Sequence, residues 1–260
     1  MYLTWLDNNS WLVEMGGKRI LIDPWLVGSL IFGNLDWLFK GFRTQERAIP
    51  ENIDLIVLSQ GLEDHAHTPT LKQLDRNIPV VASPNAANVV TQLNYTQITP
   101  LAHGETFNLE RSVAITATPG SSIGPTLVEN GYILKELETG FTLYYEPHGY
   151  HSPSLKEAAP IDVVITPQYD LGLPLVGSII RGRKYALEVA QWLQPQVMIH
   201  TAAGGDVVFE GLLNSLLQTT GSIAEFRSLL AQNHLSVQVI EPTPGARFEV
   251  PLKQSVTNDK

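Results

Sequence analysis

The chain has 260 residues, with 26 acidic and 17 basic side chains, a formal net charge of −9 and 43% hydrophobic residues. This composition predicts a globular protein with enough chain for one large domain. The acidic balance argues against nucleic acid as a partner, because neutralising a phosphate backbone needs clustered Lys and Arg. The densest basic cluster, Arg181, Arg183 and Lys184, is large enough to hold one anionic group, and the alternative is a solvated helix surface.

The chain contains no cysteine, so any metal must bind to His, Asp, Glu or backbone oxygen. The N-terminus lacks the basic region and long apolar core of a signal peptide, which predicts a cytoplasmic protein. Residues 25–42 form the most apolar stretch, but Gly, Asp and Lys interrupt it, so it does not predict a transmembrane segment. Its five aromatic residues indicate ordinary packing, a lid over an apolar ligand, or a contact surface in a homo-oligomer.

The pattern of apolar residues predicts alternating strands and helices along most of the chain. Alternation at 11–15, a turn at Gly16-Gly17 and a strand at 18–23 indicate a hairpin. A buried strand is predicted at 53–58, followed by a helix with Thr68 as N-cap and Pro69 in its first turn. Further strands are predicted at 80–83, 97–100, 106–109, 113–118, 131–137, 141–145, 161–166, 196–200, 235–241 and 246–250, and helices at 84–93, 183–193 and, as one or two segments, within 211–231.

No repeat, low-complexity segment or linker divides the sequence. We therefore expect a single domain over residues 1–253, followed by a flexible C-terminal tail at 254–260. The order of elements indicates two half-units that pack sheet against sheet with helices outside, an α/β (α+β) fold with four αββα layers.

The buried strand at 53–58 leads through a polar loop into Asp64 and His65 and then into a helix. This arrangement resembles the metallo-β-lactamase superfamily, whose usual signature after that strand is His-x-His-x-Asp-His. The hairpin at 16–24 and the turn and strand at 101–109 resemble the branch that includes ascorbate phosphate lactonase. The sequence as a whole is similar to a group from cyanobacteria and plants. The resemblance covers residues 5–205 and implies the αββα fold.

The sequence departs from this signature at the ligands of one metal ion. In the superfamily two divalent ions usually share a bridging Asp, and the first ion is held by two early histidines and a later one. The early positions hold Gln60 and Leu62, and the later one falls in the segment containing Ser121. Because leucine has no lone pair, the degenerate motif predicts that the first ion is absent.

The ligands that the resemblance implies for the second ion are better represented. Asp64 and His65 form the Asp-His pair, and His148 stands where the bridging Asp is expected. His200 is the candidate for the last histidine. For His67 two interpretations remain open, a displaced ligand or a solvent-facing residue at a helix start.

Two further sets of residues belong to the predicted site. Glu146 has three open roles: a ligand, a general base, or a hydrogen-bond acceptor that holds His148 in one tautomer. Gln60 is expected to hydrogen-bond across the vacant first site. The predicted substrate-pocket residues are Gln60, Leu62, Ser121 and Arg181.

Two functions follow as hypotheses. In the first, one divalent ion, zinc or alternatively iron or manganese, activates water for hydrolysis of a small ester, lactone or phosphoester, with Asp64 and Glu146 as catalytic residues. In the second, the protein binds no metal and is a non-catalytic, ligand-binding descendant of the fold. Asp64 and His65 then remain only as a loop-capping Asp and a buried, hydrogen-bonded His.

Overall fold

The computed structural model describes residues 1–123, 126–174, 177–202 and 204–254. The strands are β1 (Tyr2–Trp5), β2 (Trp11–Met15), β3 (Lys18–Ile22), β4 (Leu30–Ile31), β5 (Lys40–Arg43), β6 (Leu55–Leu58), β7 (Val80–Ala82), β8 (Ile98–Pro100), β9 (Thr106–Leu109), β10 (Val113–Ile123), β11 (Leu127–Glu136), β12 (Thr142–Tyr145), β13 (Val163–Ile165), β14 (Asp170–Leu173), β15 (Gly177–Ile180), β16 (Val197–Ile199), β17 (Val207–Glu210), β18 (Gln218–Thr220), β19 (Gln238–Ile240) and β20 (Arg247–Glu249). The helices are α1 (Thr68–Gln73), α2 (Pro84–Gln92), α3 (Arg183–Leu193), α4 (Leu212–Leu216) and α5 (Ile223–Gln232), and 3₁₀ turns lie at Phe32–Asn34 and Pro153–Ala158.

In these ranges no helix combines the length and apolar character needed to cross a membrane. The expected flexible tail begins at Gln254, which is exposed, and its remainder, 255–260, lies outside the described residues.

Two seven-stranded sheets form the body of the protein, in the orders β20-β1-β2-β3-β6-β7-β8 and β19-β16-β13-β12-β11-β10-β9. Each sheet has an antiparallel part and a parallel part. The parallel runs are β3-β6-β7-β8 in the first sheet and β12-β13-β16-β19 in the second. Short apolar strands suit this position because both faces of a parallel sheet are covered.

The main core lies between the two sheets and contains Trp11, Val57 and Tyr145, all fully buried. A second core joins the outer face of the first sheet to α1 and α2, and a third joins the second sheet to α3 and α5. The layers are therefore helix, sheet, sheet and helix, which confirms the predicted αββα fold.

One strand of the sandwich was missed and two local predictions were wrong. Strand β1, which pairs with both β2 and β20, was not predicted from its four residues. Strand β10 does not end at Thr118 but continues through Pro119 to Ile123, with a register shift between Pro119 and Ser122. The proline is tolerated because β9 pairs only with residues 113–116, so at position 119 the strand has a neighbour on one side only. The N-cap of α1 is His67, not Thr68, and its ring accepts the hydrogen bond from the Thr70 amide.

Two small sheets lie beyond the sandwich, in the orders β17-β5-β4 and β15-β14-β18. The apolar stretch 25–42 supplies β4 and β5, and Trp25, Leu30 and Phe39 pack there with Phe209 and Leu213. The segment 211–231 contains two helices, α4 and α5, with β18 between them. Sequence patterns did not predict β14, β15 or β17.

The predicted site residues follow the carboxyl ends of parallel strands from both sheets. Strand β6 precedes Asp64 and His65, β12 precedes His148, and β16 precedes His200. Such strand ends are where α/β folds place their ligand sites. The packing of the two sheets therefore positions these loops at one edge of the sandwich.

Candidate metal centre

Asp64, His65 and His148 form a cluster in which one ligand atom of each lies within 4.8 Å of the others. The Nε2 atom of His65 is 3.1 Å from Oδ2 of Asp64, and the rings of His65 and His148 have their centroids 5.0 Å apart. His65 is fully buried, whereas the other two side chains are half-buried. Three residues that sequence analysis selected from two separate loops are thus brought together.

The orientation of His65 is fixed from behind by Asp23, the residue that follows β3. His65 Nδ1 lies 2.7 Å from Asp23 Oδ2, and the same carboxylate accepts hydrogen bonds from the Ser59 amide and hydroxyl and from the Tyr145 hydroxyl. A carboxylate on one ring nitrogen holds an imidazole in the tautomer whose other nitrogen can bind a metal. Asp23 therefore directs Nε2 of His65 towards Asp64.

The electrostatics of this pair favour a cation between the carboxylates. Burial disfavours a charged imidazole, yet Asp64 and Asp23 outweigh it and raise the pKa of His65 to about 10. Burial likewise opposes ionisation of Asp64, but the adjacent His65 keeps the pKa of Asp64 below its ordinary value. The His65 ring is therefore protonated at pH 7, and its positive charge lies between the carboxylates of Asp23 and Asp64.

His148 has a different environment. Burial, and then the charge of His65, lower the pKa of His148 to about 3, so its ring is neutral at pH 7. Gln60 Nε2 lies 2.6 Å from both His148 Nδ1 and Ser121 Oγ, and Ser121 Oγ is 3.2 Å from His148 Nδ1. Gln60 and Ser121 thus meet on one side of the ring, and Nδ1 is the nitrogen that they engage.

The carboxamide of Gln60 controls which nitrogen of His148 carries the proton. With Nε2 of Gln60 towards the ring, His148 Nδ1 accepts, and Gln60 Oε1 has no hydrogen-bond partner among the described residues. Rotating the carboxamide by 180° places Oε1 there as an acceptor for the Ser121 hydroxyl and for His148 Nδ1–H. His148 Nε2 then has the lone pair that a metal ligand needs.

Glu146 is fully buried, and burial raises its pKa to about 7. Its Oε2 accepts hydrogen bonds from the backbone amides of His148, at 3.2 Å, and Tyr150, at 2.7 Å. The carboxylate thus holds the turn that presents His148, and its described hydrogen bonds do not include the His148 ring. The turn requires glycine at position 149, because its φ is +76° and a Cβ atom there would lie 1.6 Å from the Arg181 carbonyl oxygen.

The other two histidines that were predicted as ligands lie outside the cluster. Both ring nitrogens of His67 are engaged, Nδ1 at the start of α1 and Nε2 with the Ser29 carbonyl, and burial lowers its pKa to about 4. His200 accepts a hydrogen bond from the Gln168 amide at Nδ1 and stacks on Tyr169. Its Nε2 is buried without a partner in the described part of the chain.

The remaining predicted pocket residues are dispersed. Leu62 is half-buried, and its carbonyl accepts the His65 and Ala66 amides in the loop. Arg181 lies over the Tyr150 ring in a separate pocket of about 210 Å³.

Sequence reasoning missed two residues at the centre, Asp23 and Asn9. Asp23 carried a usable signal, because it is a carboxylate at the carboxyl end of a strand parallel to β6. Asn9 Nδ2 lies 3.4 Å from Asp64 Oδ2 and 3.5 Å from His65 Nε2, but Asn9 occurs in a turn that has no recognisable motif.

The residues present fit a divalent ion. Two imidazoles and one carboxylate are a donor set used for catalytic zinc and for non-haem iron. Oδ1 of Asp64 and Oδ1 of Asn9 are buried oxygens with no hydrogen-bond partner among the described residues. Buried oxygens without partners are destabilising unless water or an ion satisfies them.

A cavity of about 500 Å³ opens beside the cluster, and Asp64, His148 and His200 lie in its wall. The two small sheets and α4 supply most of the remaining wall. The cluster of Asp64, His65 and His148 is therefore the polar end of a pocket large enough for a small molecule.

Comparison with known proteins agrees with this architecture. A family model described as a beta-lactamase superfamily domain matches residues 2–202. No curated protein matches the chain significantly by sequence. An isothiocyanate hydrolase from Delia radicum gut bacteria has a similar structure, with a TM-score of 0.69 and 16% identity, over 96% of this chain and 99% of its own.

Two other solved structures show the same fold. Igni18, a metallo hydrolase from the archaeon Ignicoccus hospitalis, gives a TM-score of 0.65 with 17% identity, over 96% of this chain and 98% of its own. The metallo-beta-lactamase fold protein YhfI from Bacillus subtilis gives 0.62 with 13% identity, over 95% and 99%. Since the family model spans most of the sequence, the chain belongs to the family described as the beta-lactamase superfamily domain, and it has the metallo-β-lactamase fold.

Proposed function

We propose that this protein is a metal-dependent hydrolase with one divalent ion held by Asp64, His65 and His148. The observation that carries the proposal is the convergence of these three side chains, with His65 oriented by Asp23, at the polar end of a cavity. The hydrolase names of two structural neighbours support it. The substrate is a small ester, lactone or phosphoester.

Each residue of the site has a separate role in such a reaction. A bound zinc, iron or manganese ion supplies Lewis acidity and brings the pKa of water towards ~7. Asp23 holds His65, Gln60 holds His148, and Glu146 holds the turn that carries His148. Hydrolysis joins the water oxygen to the carbonyl or phosphoryl centre, breaks the bond to the leaving oxygen, and transfers a proton to that oxygen.

A single ion is proposed because Gln60 and Ser121 hydrogen-bond to each other where the family's first ion is expected. Their contact of 2.6 Å leaves no gap between the two side chains for an ion. Neither an amide nor a hydroxyl of this kind replaces the imidazoles that would hold zinc there. His148, in the position of the bridging acid, belongs only to the second site.

Metal content tests the proposal directly. Protein purified without chelator and reconstituted with zinc, iron or manganese is expected to retain about one equivalent, and chelator treatment is expected to abolish turnover. Less than about a tenth of an equivalent under every condition contradicts the proposal. About two equivalents contradict the single-ion assignment.

Gln60 provides a second test, because it has no charge and is proposed to act only through His148. Replacing Gln60 with methionine preserves length but removes the acceptor for His148 Nδ1–H, and the zinc affinity is expected to fall by about 10–100-fold. Replacing it with glutamate retains an acceptor and is expected to preserve the affinity. Calorimetric titration measures both variants, and ¹⁵N NMR of His148 reports its tautomer. An unchanged affinity and tautomer in Gln60→Met would refute the role of Gln60.

A second candidate function is a ligand-binding protein without metal. The observation that favours it is the hydrogen bond from Gln60 Nε2 to His148 Nδ1, which in this carboxamide orientation leaves the ring without a lone pair on Nε2. The metal-content measurement separates the two candidates, since only the hydrolase requires an ion.

We also propose that the protein is located in the cytoplasm and that it forms a homo-oligomer. The exposed side chains of Trp37 and Leu216 support a homo-oligomer, because large apolar groups on the surface often mark protein interfaces.

A further inference from the structure

The cavity beside Asp64, His65 and His148 has a mainly apolar wall. Nine of its eighteen described lining residues are Leu, Ile or Phe. Most of them come from the two small sheets and α4, as Leu30, Leu171, Ile180, Phe209 and Leu213 illustrate. A ligand that fills this space gains most of its binding free energy by removing apolar surface from water.

The charges of the residues that line the cavity disfavour the binding of anions. None of the described lining residues is Lys or Arg, and the one carboxylate among them is Asp64. Burial lowers the pKa of His200, the lining histidine outside the cluster, to about 3, so its ring is neutral at pH 7. Arg181, the cation that sequence analysis offered as an anchor, lines a different pocket.

A phosphomonoester fits this environment poorly. A phosphomonoester carries a charge of roughly −1.5 to −2 at pH 7. One divalent ion beside Asp64 offers a net charge of about +1, and the wall has no further cation to pair the remaining charge. An anion left unpaired in an apolar pocket is strongly destabilised, and phosphoryl-transfer sites use several cations for this reason.

We infer that the substrates are uncharged compounds with an apolar group, an aryl or alkyl ester or lactone, whose apolar part occupies the cavity between the small sheets. This inference rests on the proposed hydrolase function for the reaction, but the binding it describes does not require the ion. It narrows the substrate class by excluding phosphomonoesters.

The short helix α4 offers a matched pair of positions to test this assignment. Leu213 lines the cavity, whereas its neighbour Leu212 has 53% of its surface exposed to solvent. An arginine at 213 places a charge in the cavity, and a tryptophan at 213 fills part of its volume. The same arginine at 212 changes the charge of the helix without entering the cavity.

Binding is measured with 2-naphthol and 2-naphthyl phosphate, which share one aryl group, on chelator-treated protein and on Asp64→Ala. We expect 2-naphthol to bind both proteins at least about tenfold more tightly than 2-naphthyl phosphate. Leu213→Arg and Leu213→Trp are each expected to weaken 2-naphthol by about 10–100-fold, and Leu212→Arg to leave it unchanged. Circular dichroism of each variant establishes whether it is folded. If one of the two Leu213 variants fails to fold, the other still tests the assignment.

Equal or tighter binding of 2-naphthyl phosphate to Asp64→Ala overturns the inference, and so does unchanged 2-naphthol binding in folded Leu213→Trp. Turnover of 2-naphthyl acetate by the zinc-loaded protein separates this inference from the proposed function. If 2-naphthol binds as expected but no ion is retained, the hydrolase proposal fails while the apolar ligand site stands. If the loaded protein hydrolyses 2-naphthyl phosphate faster than 2-naphthyl acetate, the hydrolase proposal stands and the substrate inference fails.

Discussion

Asp64→Ala is expected to reduce the metal content of reconstituted protein from about one equivalent to less than about a tenth, with turnover falling to background. Asp64 is the one carboxylate in the cluster, and without it two imidazoles remain to hold the ion. Loss of a residue that merely orients a ligand weakens metal binding by about 10–100-fold, so loss of a ligand is expected to exceed that range. His148→Ala is expected to have the same effect.

Glu63→Ala is the matched control, because Glu63 is an exposed carboxylate adjacent to Asp64 in the chain. It removes the same charge from the same loop and is expected to leave metal content unchanged. Elemental analysis after reconstitution and gel filtration measures all three variants, with circular dichroism to confirm folding. Retention of a full equivalent in both Asp64→Ala and His148→Ala would mean that the ion binds elsewhere.

The sequence predicted the sandwich well because its signals were local. Short apolar runs such as residues 55–58 have few structural solutions other than buried strands, and their order along the chain determined the layers. The cluster was predicted from the resemblance to the metallo-β-lactamase superfamily, and the strand order explains why its residues meet. Asp64, His65 and His148 each follow a parallel strand, so the fold alone brings their loops to one edge, although His65 and His148 are 83 residues apart in the chain.

The rest of the site depends on contacts that no local pattern encodes. Asn9 reaches Asp64 and His65 from a turn between β1 and β2, and the strand β1 was itself not predicted. The cavity wall includes residues of β14, β15 and β17, and both β14 and β17 pair with strands far along the chain, β18 and β5. Their pairing is decided by tertiary packing, to which propensity contributes little.

Asp7→Asn is expected to lower the free energy of unfolding by about 3–5 kcal/mol, the range for breaking a buried ion pair by removing one partner. Asp7 is fully buried, and its carboxylate accepts hydrogen bonds from Arg43 at 2.8 Å and Arg47 at 2.7 Å. Arg43 is nearly as buried, so an asparagine leaves its guanidinium without an anion. Asparagine keeps the shape and tolerates the φ of 74° at this position, which isolates the loss of charge.

Asp206→Asn is the control, since Asp206 also pairs with Arg47 but its side chain is 59% exposed, and we expect a loss below about 1 kcal/mol. Burial alone would raise the pKa of Asp7, but hydrogen bonds from Arg47, the Asp206 amide and Arg43 hold it below its ordinary value. The stabilisation is therefore complete above the unfolded-state pKa of about 3.9 and is lost as the pH falls through the lower folded-state pKa. Urea denaturation of wild type and Asp7→Asn should show a difference in unfolding free energy that is constant near pH 7 and shrinks below about pH 4. A difference that persists unchanged in acid would show that the asparagine acts through packing and not through the lost charge.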